Sequence, residues 1–238
     1  MAAGLETSMR PKTLSLLILF ALATSLTCFS QQDYVSRFDA FGGYSFLDSP
    51  KVNLFENGFN GEFGVNVRSW LGLGGDFSVF TGSSTIIPSY LNPTVQAELA
   101  PFLPLLPPGY NLAIPYSATT YTYAGGPQFN IRKLKEVTFF VRPGLGALHQ
   151  AVTVHPKNDG IQPLIVGALL PTGKASDTVV FYGFGGGMDF NFSQHFAVRT
   201  AADFVHYNVF SNLLNGGQNT VRFSIGPVFR FGNNILGK

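Results

Sequence analysis

The sequence predicts an all-β protein, specifically an eight-stranded antiparallel up-and-down transmembrane β-barrel. Three observations lead to this prediction. Eight segments alternate apolar and polar residues, and the connections between them alternate short and long. The chain is also apolar overall, yet beyond residue 30 it has no run of about 18 apolar residues that would form a membrane-spanning helix.

The closing segment, residues 221–231, carries the clearest alternation. One parity holds Val221, Phe223, Ile225, Pro227, Phe229 and Phe231, and the other holds Arg222, Ser224, Gly226, Val228 and Arg230. Because successive side chains of a strand point to opposite faces, this is a strand with one apolar and one polar face. Its length matches the ~9–11 residues that a tilted strand needs to cross a bilayer.

Seven earlier segments repeat the pattern. The predicted strands are residues 37–47, 59–68, 71–81, 119–131, 137–149, 179–192, 196–207 and 221–231. Apolar residues on one parity of the first four are Phe38, Tyr44 and Phe46; Phe59, Phe63 and Val65; Leu71, Leu73 and Phe77; and Tyr121, Tyr123 and Phe129. In the next three they are Phe139, Val141 and Leu145; Tyr182, Phe184 and Phe190; and Phe196, Val198 and Phe204.

The connections give a second, independent signal. Short joins follow the second, fourth and sixth strands at residues 69–70, 132–136 and 193–195, and longer ones span residues 48–58, 82–118, 150–178 and 208–220. Tight periplasmic turns and longer extracellular loops are typical of outer membrane barrels, so the long loops are expected outside. The apolar stretches 99–106 and 163–171 either contact a partner, a ligand or the outer leaflet, or pack on each other over the barrel mouth.

The N-terminus has the features of a secretory signal peptide. Arg10 and Lys12 precede an apolar segment, residues 14–26, and small residues before position 31 suit cleavage after Ser30. The expected division is a signal peptide at 1–30 and a barrel domain at 31–238, with Met1 or Met9 as the start. Cys28 would be removed, and Thr27 before it is a poor fit to a lipoprotein site.

Alternation alone does not say which face points inward, because a soluble lipocalin-like barrel would bury its apolar face. Three features favour an apolar face turned to lipid: the signal peptide, aromatic residues near strand ends (Trp70, Tyr121, Phe192, Phe196 and Tyr207), and charges of both signs on the polar face. The expected barrel-lining charges are Asp39, Glu62, Arg68, Asp76, Arg142, Asp189, Arg199, Asp203, Arg222 and Arg230. They form either an ion path or, since eight strands leave room only for side chains, an internal plug.

Three stretches resemble a known family. They are similar to the small eight-stranded outer membrane barrels, of the type of the OmpA transmembrane domain. The stretches are residues 38–47 (Phe-Asp-Ala-Phe-Gly-Gly-Tyr-Ser-Phe-Leu), 183–207 and 221–232. The resemblance covers roughly residues 33–232 and implies the bacterial outer membrane, membrane lipids as surroundings and the barrel assembly machinery as a partner during insertion. Such chains often end on the strand's last aromatic residue, whereas here residues 232–238 follow Phe231.

Histidines are the candidates for catalysis. His149 and His206 lie near the outer ends of the fifth and seventh strands, and His155 lies in the loop after the fifth. Some small outer membrane barrels modify lipid A with a histidine paired with a serine or an aspartate at that rim. Here Asn208 stands where the deacylase pattern has serine, and His195 is expected in a solvated turn. Gly183, Gly185, Gly186 and Gly187 lie within a strand and are expected to ease curvature or make room for inward aromatic rings.

The functional prediction is therefore a non-enzymatic, monomeric outer membrane barrel with a plugged lumen and a role in structure, surface display or adhesion. No cofactor and no metal are expected, since no spacing of His, Asp and Glu sets a coordination sphere. The net charge of only +2 argues against nucleic acid. Two alternatives remain open: an enzyme that modifies lipid A at the barrel rim, and a narrow channel for small solutes.

Overall fold

A computed structural model describes residues 32–236. The predicted signal peptide, its cleavage site, Cys28 and both candidate start residues lie outside the described residues. Eight antiparallel strands form one closed barrel in which each strand pairs with its sequence neighbours and β1 pairs with β8. The strands are β1 (Ser36–Ser49), β2 (Leu54–Asn66), β3 (Leu71–Ile86), β4 (Ile114–Ile131), β5 (Val137–Val154), β6 (Lys174–Asn191), β7 (Phe196–Tyr207) and β8 (Gln218–Asn234).

The barrel has two different ends. The lower end holds the short turns 67–70, 132–136 and 192–195 together with both termini of the described chain. The upper end holds the connections 50–53, 87–113, 155–173 and 208–217, which contain helices α1 (Pro93–Leu99) and α2 (Ile161–Leu169) and 3₁₀ turns at Pro50–Val52, Pro88–Tyr90 and Leu103–Leu105. Among residues 32–236, no helix is long and apolar enough to span a membrane.

The predicted fold class is confirmed, and several predicted boundaries are wrong. β7 has the predicted bounds, but β3, β4, β5 and β6 each continue about five residues further upward than predicted. The long connections are correspondingly shorter than the predicted loops 48–58, 82–118, 150–178 and 208–220. The physical reason is that the alternation reverses: in residues 114–118 the inward Ile114, Tyr116 and Ala118 are apolar, whereas the outward Ser117 is polar.

Over the rest of the barrel the apolar parity faces outward, as predicted. Large exposed apolar side chains cover this surface, among them Phe59, Phe77, Phe184 and Phe229, which are 43–66% exposed. Their polar strand neighbours are buried inside. Tyr207 is an exception to the predicted ring of interfacial aromatic residues, because its side chain points into the barrel and is only 2% exposed.

The first and last strands close the barrel. Phe38 pairs with Phe231 and Tyr44 with Ile225, with a register shift between Ser36 and Phe38. The closing strand continues past Phe231 to Asn234, whose Oδ1 accepts a hydrogen bond of 2.9 Å from the Val35 amide. This last contact brings together residues separated by 199 positions in sequence.

Inward-facing glycines make space for large side chains within the barrel. A Cβ on Gly146 would lie 2.5 Å from the Phe181 ring, and one on Gly185 would lie 1.9 Å from Oδ1 of Asp203. Gly187 likewise faces Phe140. The prediction that glycines of β6 make room for inward aromatic rings agrees with this geometry, and the cleared space also receives charged groups.

Candidate functional site

The lower half of the lumen is crossed by one continuous series of ion pairs. Its members alternate in charge, so that each interior carboxylate and guanidinium contacts the next. In order they are Arg230, Asp189, Arg199, Glu62, Arg142, Asp203, Arg222 and Asp76, joined by N–O distances of 2.7–2.9 Å. These residues, which we call the charge series, come from β2, β3, β5, β6, β7 and β8 and hold four positive and four negative groups.

Arg199 is the most buried member of the charge series. Its Nε and Nη2 donate to the two carboxylate oxygens of Asp189 at 2.8 and 3.1 Å, and its Nη1 donates to Glu62 at 2.7 Å. The guanidinium also lies 4.6 Å from the centre of the Phe140 ring, within the range of a cation–π contact. A charge can be buried in this way only when it is paired and hydrogen-bonded.

Nine of the ten predicted barrel-lining charges face the lumen, and eight of them form the charge series. Asp39 lies beside it and accepts a hydrogen bond of 3.1 Å from Asn66. Arg68 is the exception: it is exposed in the lower turn 67–70, beyond the end of β2, so its assignment to the lumen is wrong. The physical reason is that β2 ends at Asn66, so Arg68 lies in a turn where parity no longer determines the direction of a side chain.

The lower opening is partly covered by the described N-terminal segment and a turn. Gln32 donates to Thr138 Oγ1 at 2.7 Å and to the Leu134 carbonyl at 3.0 Å. Arg132 in the turn 132–136 donates to the Ser69 carbonyl at 2.9 Å and to Asn66 at 3.3 Å. These contacts connect separate lower turns below the charge series.

The upper half of the lumen is apolar and not filled. A cavity at the upper end, which we call the upper chamber, is lined mainly by aliphatic and aromatic side chains, both from the upper strand ends, where apolar residues face inward, and from the upper loops. Its lining includes Val52, Leu54, Ile86, Tyr116, Val152, Val154, Tyr207, Val209, Phe210, Leu213 and Leu214, with Ser49, Gln150 and Gln218 as the polar groups.

The apolar loops fold into a cap over the upper chamber. Leu99 of α1 and Ile165 of α2 are buried together with Leu91, Leu112 and Ile114 in one hydrophobic cluster. Both stretches, 99–106 and 163–171, contribute to this packing, which agrees with the alternative that they cover the barrel mouth. A second, apolar cavity lies within the cap.

Polar contacts fix the two helices of the cap. Asn92 caps α1 by accepting from the Val95 amide at 2.9 Å. Asp159 receives the Ile161 and Gln162 amides at 3.0 and 2.9 Å at the start of α2, and also accepts from the Tyr110 hydroxyl. That hydroxyl holds the pKa of the Asp159 carboxyl below its ordinary value, and the shared hydrogen bond raises the pKa of Tyr110.

The predicted histidines do not converge on a cleft. His149 and His206 both lie on the outward parity, where their Nδ1 atoms are 2.7 Å from Thr178 Oγ1 and Asn219 Oδ1. Among the described residues, His155 makes the one contact between a histidine ring and a serine hydroxyl, with its Nε2 3.0 Å from Ser117 Oγ on the exposed upper rim. No local sequence pattern predicts this pair, since the two residues lie 38 positions apart.

Metal ligands are not grouped in the described part of the chain, where no cluster of three or more His, Cys, Asp or Glu residues could hold an ion. The upper chamber and its polar groups were not predicted from the sequence. The one signal for it was the reversed alternation in residues 114–118, where apolar residues turn inward.

Comparison with known proteins agrees with the fold. The sequence model described as "Outer membrane protein beta-barrel domain" matches residues 14–231. No curated protein matches the chain. Among solved structures, OprG from Pseudomonas aeruginosa superposes with a TM-score of 0.51 at 10% identity, covering 86% of this chain and 100% of that one. Neisserial surface protein A gives a TM-score of 0.49 at 9% identity, over 82% and 96% of the two chains. Ail, the attachment invasion locus protein of Yersinia pestis, gives 0.46 at 15% identity, over 82% and 97%.

Proposed function

Since the chain belongs to the outer membrane β-barrel domain family, and so to the bacterial outer membrane, we propose that it is a plugged, non-enzymatic barrel that displays a folded cap at the cell surface. In this proposal it acts as a monomer surrounded by membrane lipids, is inserted by the barrel assembly machinery, and has a structural or adhesive role. The lower half of the lumen supplies the plug and the upper end supplies the displayed surface.

The charge series is the observation that carries the proposal. Eight charged side chains from six strands neutralise one another across the lumen, and their side chains are at most 13% exposed. An ion entering this region would have to separate pairs held at 2.7–2.9 Å. Because a buried charge that loses its partner costs several kcal/mol, such opening is rare at equilibrium.

Planar bilayer recording tests the plug. The purified wild-type protein is expected to give no stable unit conductance steps. The triple variant Glu62→Ala, Arg142→Ala, Arg199→Ala removes three consecutive members of the charge series and is expected to conduct, provided heat-modifiable gel migration shows that it folds. Regular steps from the wild-type protein would support the narrow channel instead.

Epitope insertion tests the display. A tag inserted at Gly109, an exposed position in the connection 87–113, is expected to bind antibody on intact cells. The same tag inserted at Lys133, in the lower turn 132–136, is the matched control and is expected to bind only after the outer membrane is opened. The opposite result would place the cap in the periplasm and refute the display.

A second candidate function rests on the contact between Ser117 and His155. A serine beside a histidine on an exposed rim is the minimal pair for hydrolysis of a lipid ester. This reading predicts that expression alters lipid A acylation, seen by mass spectrometry, and that Ser117→Ala and His155→Ala each abolish the change. His149→Ala is the matched control, because His149 contacts a threonine instead. An unchanged lipid A spectrum for the wild-type protein would exclude this activity.

A further inference from the structure

We propose that the upper chamber binds an apolar molecule with a single uncharged head group that both donates and accepts hydrogen bonds, such as a long-chain primary amide or alcohol. The apolar part would fill the chamber, and the head group would pair with the side-chain amide of Gln218. The site lies above the charge series, so it is independent of the plug.

The lining of the upper chamber suits such a molecule. Its walls are mostly aliphatic and aromatic side chains with a few polar groups, which is the usual composition of a ligand-binding cavity. The cavity in the cap shares Ile86, Val154, Leu170 and Leu213 with the upper chamber. A chain longer than the chamber therefore has an adjoining apolar space to enter.

Gln218 is the polar group left without a partner. Its side chain is 2% exposed and lines the upper chamber, and neither its Nε2 nor its Oε1 has a hydrogen-bond partner. A buried amide that makes no hydrogen bond is costly, at about 1–3 kcal/mol for each unsatisfied atom. A ligand that both donates and accepts would satisfy both atoms at once.

The neighbouring polar groups are already paired with one another. Tyr207 and Ser49 share hydrogen bonds with Thr220 at 3.1 and 3.0 Å. Gln150 donates to Thr120 at 2.8 Å, and Thr120 in turn donates to Glu56 at 2.8 Å. Among the residues that line the chamber, Gln218 is therefore the one whose side-chain polar atoms are both buried without a hydrogen-bond partner.

Charge at the site argues for an uncharged head group. The residues that line the upper chamber and the cap cavity include no Lys, Arg, Asp or Glu. A carboxylate or ammonium head group would lose its water there without meeting a counter-ion. An anion would in addition be placed near the carboxyl group of Glu56, which is fully buried beside Gln150 through Thr120.

The outer surface at this level indicates that the chamber stands above the hydrocarbon. Ser117 and Thr119 face outward on β4, as do Thr81, Ser83 and Thr85 on β3. These short polar side chains suit water or head groups, whereas the inward residues at the same level are apolar. The upper part of the barrel thus has the polar exterior and apolar interior of a soluble ligand-binding barrel, whereas the lower part has the apolar exterior of a membrane barrel.

The test is a binding titration on the folded protein in amphipol, followed by methyl NMR of Ile86, Val154 and Leu213. Dodecanamide is expected to shift these methyl signals, and dodecanoate and dodecyltrimethylammonium are expected to bind at least tenfold more weakly. Gln218→Leu is expected to weaken dodecanamide binding about tenfold or more and to leave the weaker binding of dodecane unchanged. Ala175→Phe, which places a ring in the chamber, is expected to abolish binding of all four.

Each component of the proposal can fail separately. Absence of dodecanamide shifts in the wild-type protein, or shifts that persist in Ala175→Phe, would overturn the site itself. Equal affinity for dodecanamide in wild type and Gln218→Leu would overturn the role of Gln218, and equal affinity for dodecanoate would overturn the uncharged head group. Heat-modifiable gel migration confirms that each variant folds, and bilayer conductance is unaffected by the outcome because it depends on the charge series.

Discussion

Replacing Arg199 by methionine is the sharpest test of the interior. The substitution keeps most of the aliphatic stem and removes the guanidinium, which makes three hydrogen bonds of 2.7–3.1 Å to Asp189 and Glu62. It cuts the charge series near its middle. Both carboxylates keep one arginine, since Arg230 holds Asp189 at 2.7 Å and Arg142 holds Glu62 at 2.7 Å.

The expected loss of stability follows from these contacts. Three hydrogen bonds to charged acceptors, at about 1.5–3 kcal/mol each, would give about 4.5–9 kcal/mol if nothing compensated. The remaining arginine on each carboxylate offsets part of this, so Arg199→Met is expected to cost about 3–5 kcal/mol, the range for removing one partner of a buried ion pair. The cation–π contact with Phe140 is lost as well, and its contribution to stability is included in that range.

Urea unfolding in lipid vesicles, followed by fluorescence of Trp70, the one tryptophan of the chain, measures the change. Arg68→Met is the matched control: it makes the same chemical change on an exposed arginine in the turn 67–70 and is expected to alter stability by less than about 0.5 kcal/mol. If the two variants lose the same amount, or if Arg199→Met loses less than about 1 kcal/mol, the charge series does not stabilise the barrel as argued.

Two further predictions concern the lumen wall and the cap. Gly185→Ala places a Cβ 1.9 Å from Asp203 Oδ1 and should lower the folded fraction on heat-modifiable gels, whereas Gly144→Ala, with no atom within 4 Å of its Cβ, should not; equal migration of both would contradict the close packing. The lowered pKa of Asp159 means that its bond with Tyr110 stabilises the start of α2 fully above the unfolded pKa of about 3.9, and that this is lost as the pH falls through the lower folded value. Tyr110→Phe should therefore move the loss of amide protection at the start of α2 to higher pH in hydrogen exchange, and an unchanged midpoint would show that the hydroxyl contributes nothing.

The membrane-facing part of the fold was predictable because one physical rule governs it. Where one face of a strand meets lipid and the other meets a polar lumen, the parity of its residues is sufficient to predict which side chains point outward. The bounds of β7 (Phe196–Tyr207) agree with the prediction to the residue. The inward direction of Arg222 and Arg230 and the outward direction of Phe223 and Phe231 followed from the same rule.

The upper end was missed because there the rule reverses. Residues such as Tyr116 and Val152 point inward and line the chamber. A strand prediction that requires outward apolar residues therefore ends about five residues before the strand itself ends. Tyr207 was misassigned for the same reason. A β-strand that leaves the bilayer exchanges its apolar and polar faces. The upper end of such a strand can be predicted only if the apolar parity is allowed to switch from the outer to the inner face.

The ion pairs within the charge series could not be predicted from the sequence, for a different reason. Parity puts Glu62 and Arg199 on the same inner face, but which carboxylate meets which guanidinium depends on the tilt of strands that are far apart in sequence. Glu62 and Arg199 are 137 residues apart, and no local pattern connects them. Their contact is a property of the closed barrel.

The seam between β1 and β8 also determines when the protein can exist in folded form. Val35 and Asn234 are 199 positions apart, and joining chain ends across such a distance costs about 5 kcal/mol in loop-closure entropy before any contact repays it. The strand edges of β1 and β7 thus stay open to other chains until the final seventeen-residue strand β8 has been delivered. Closure of the barrel therefore depends on its last strand, and a chain without β8 would keep two unpaired strand edges.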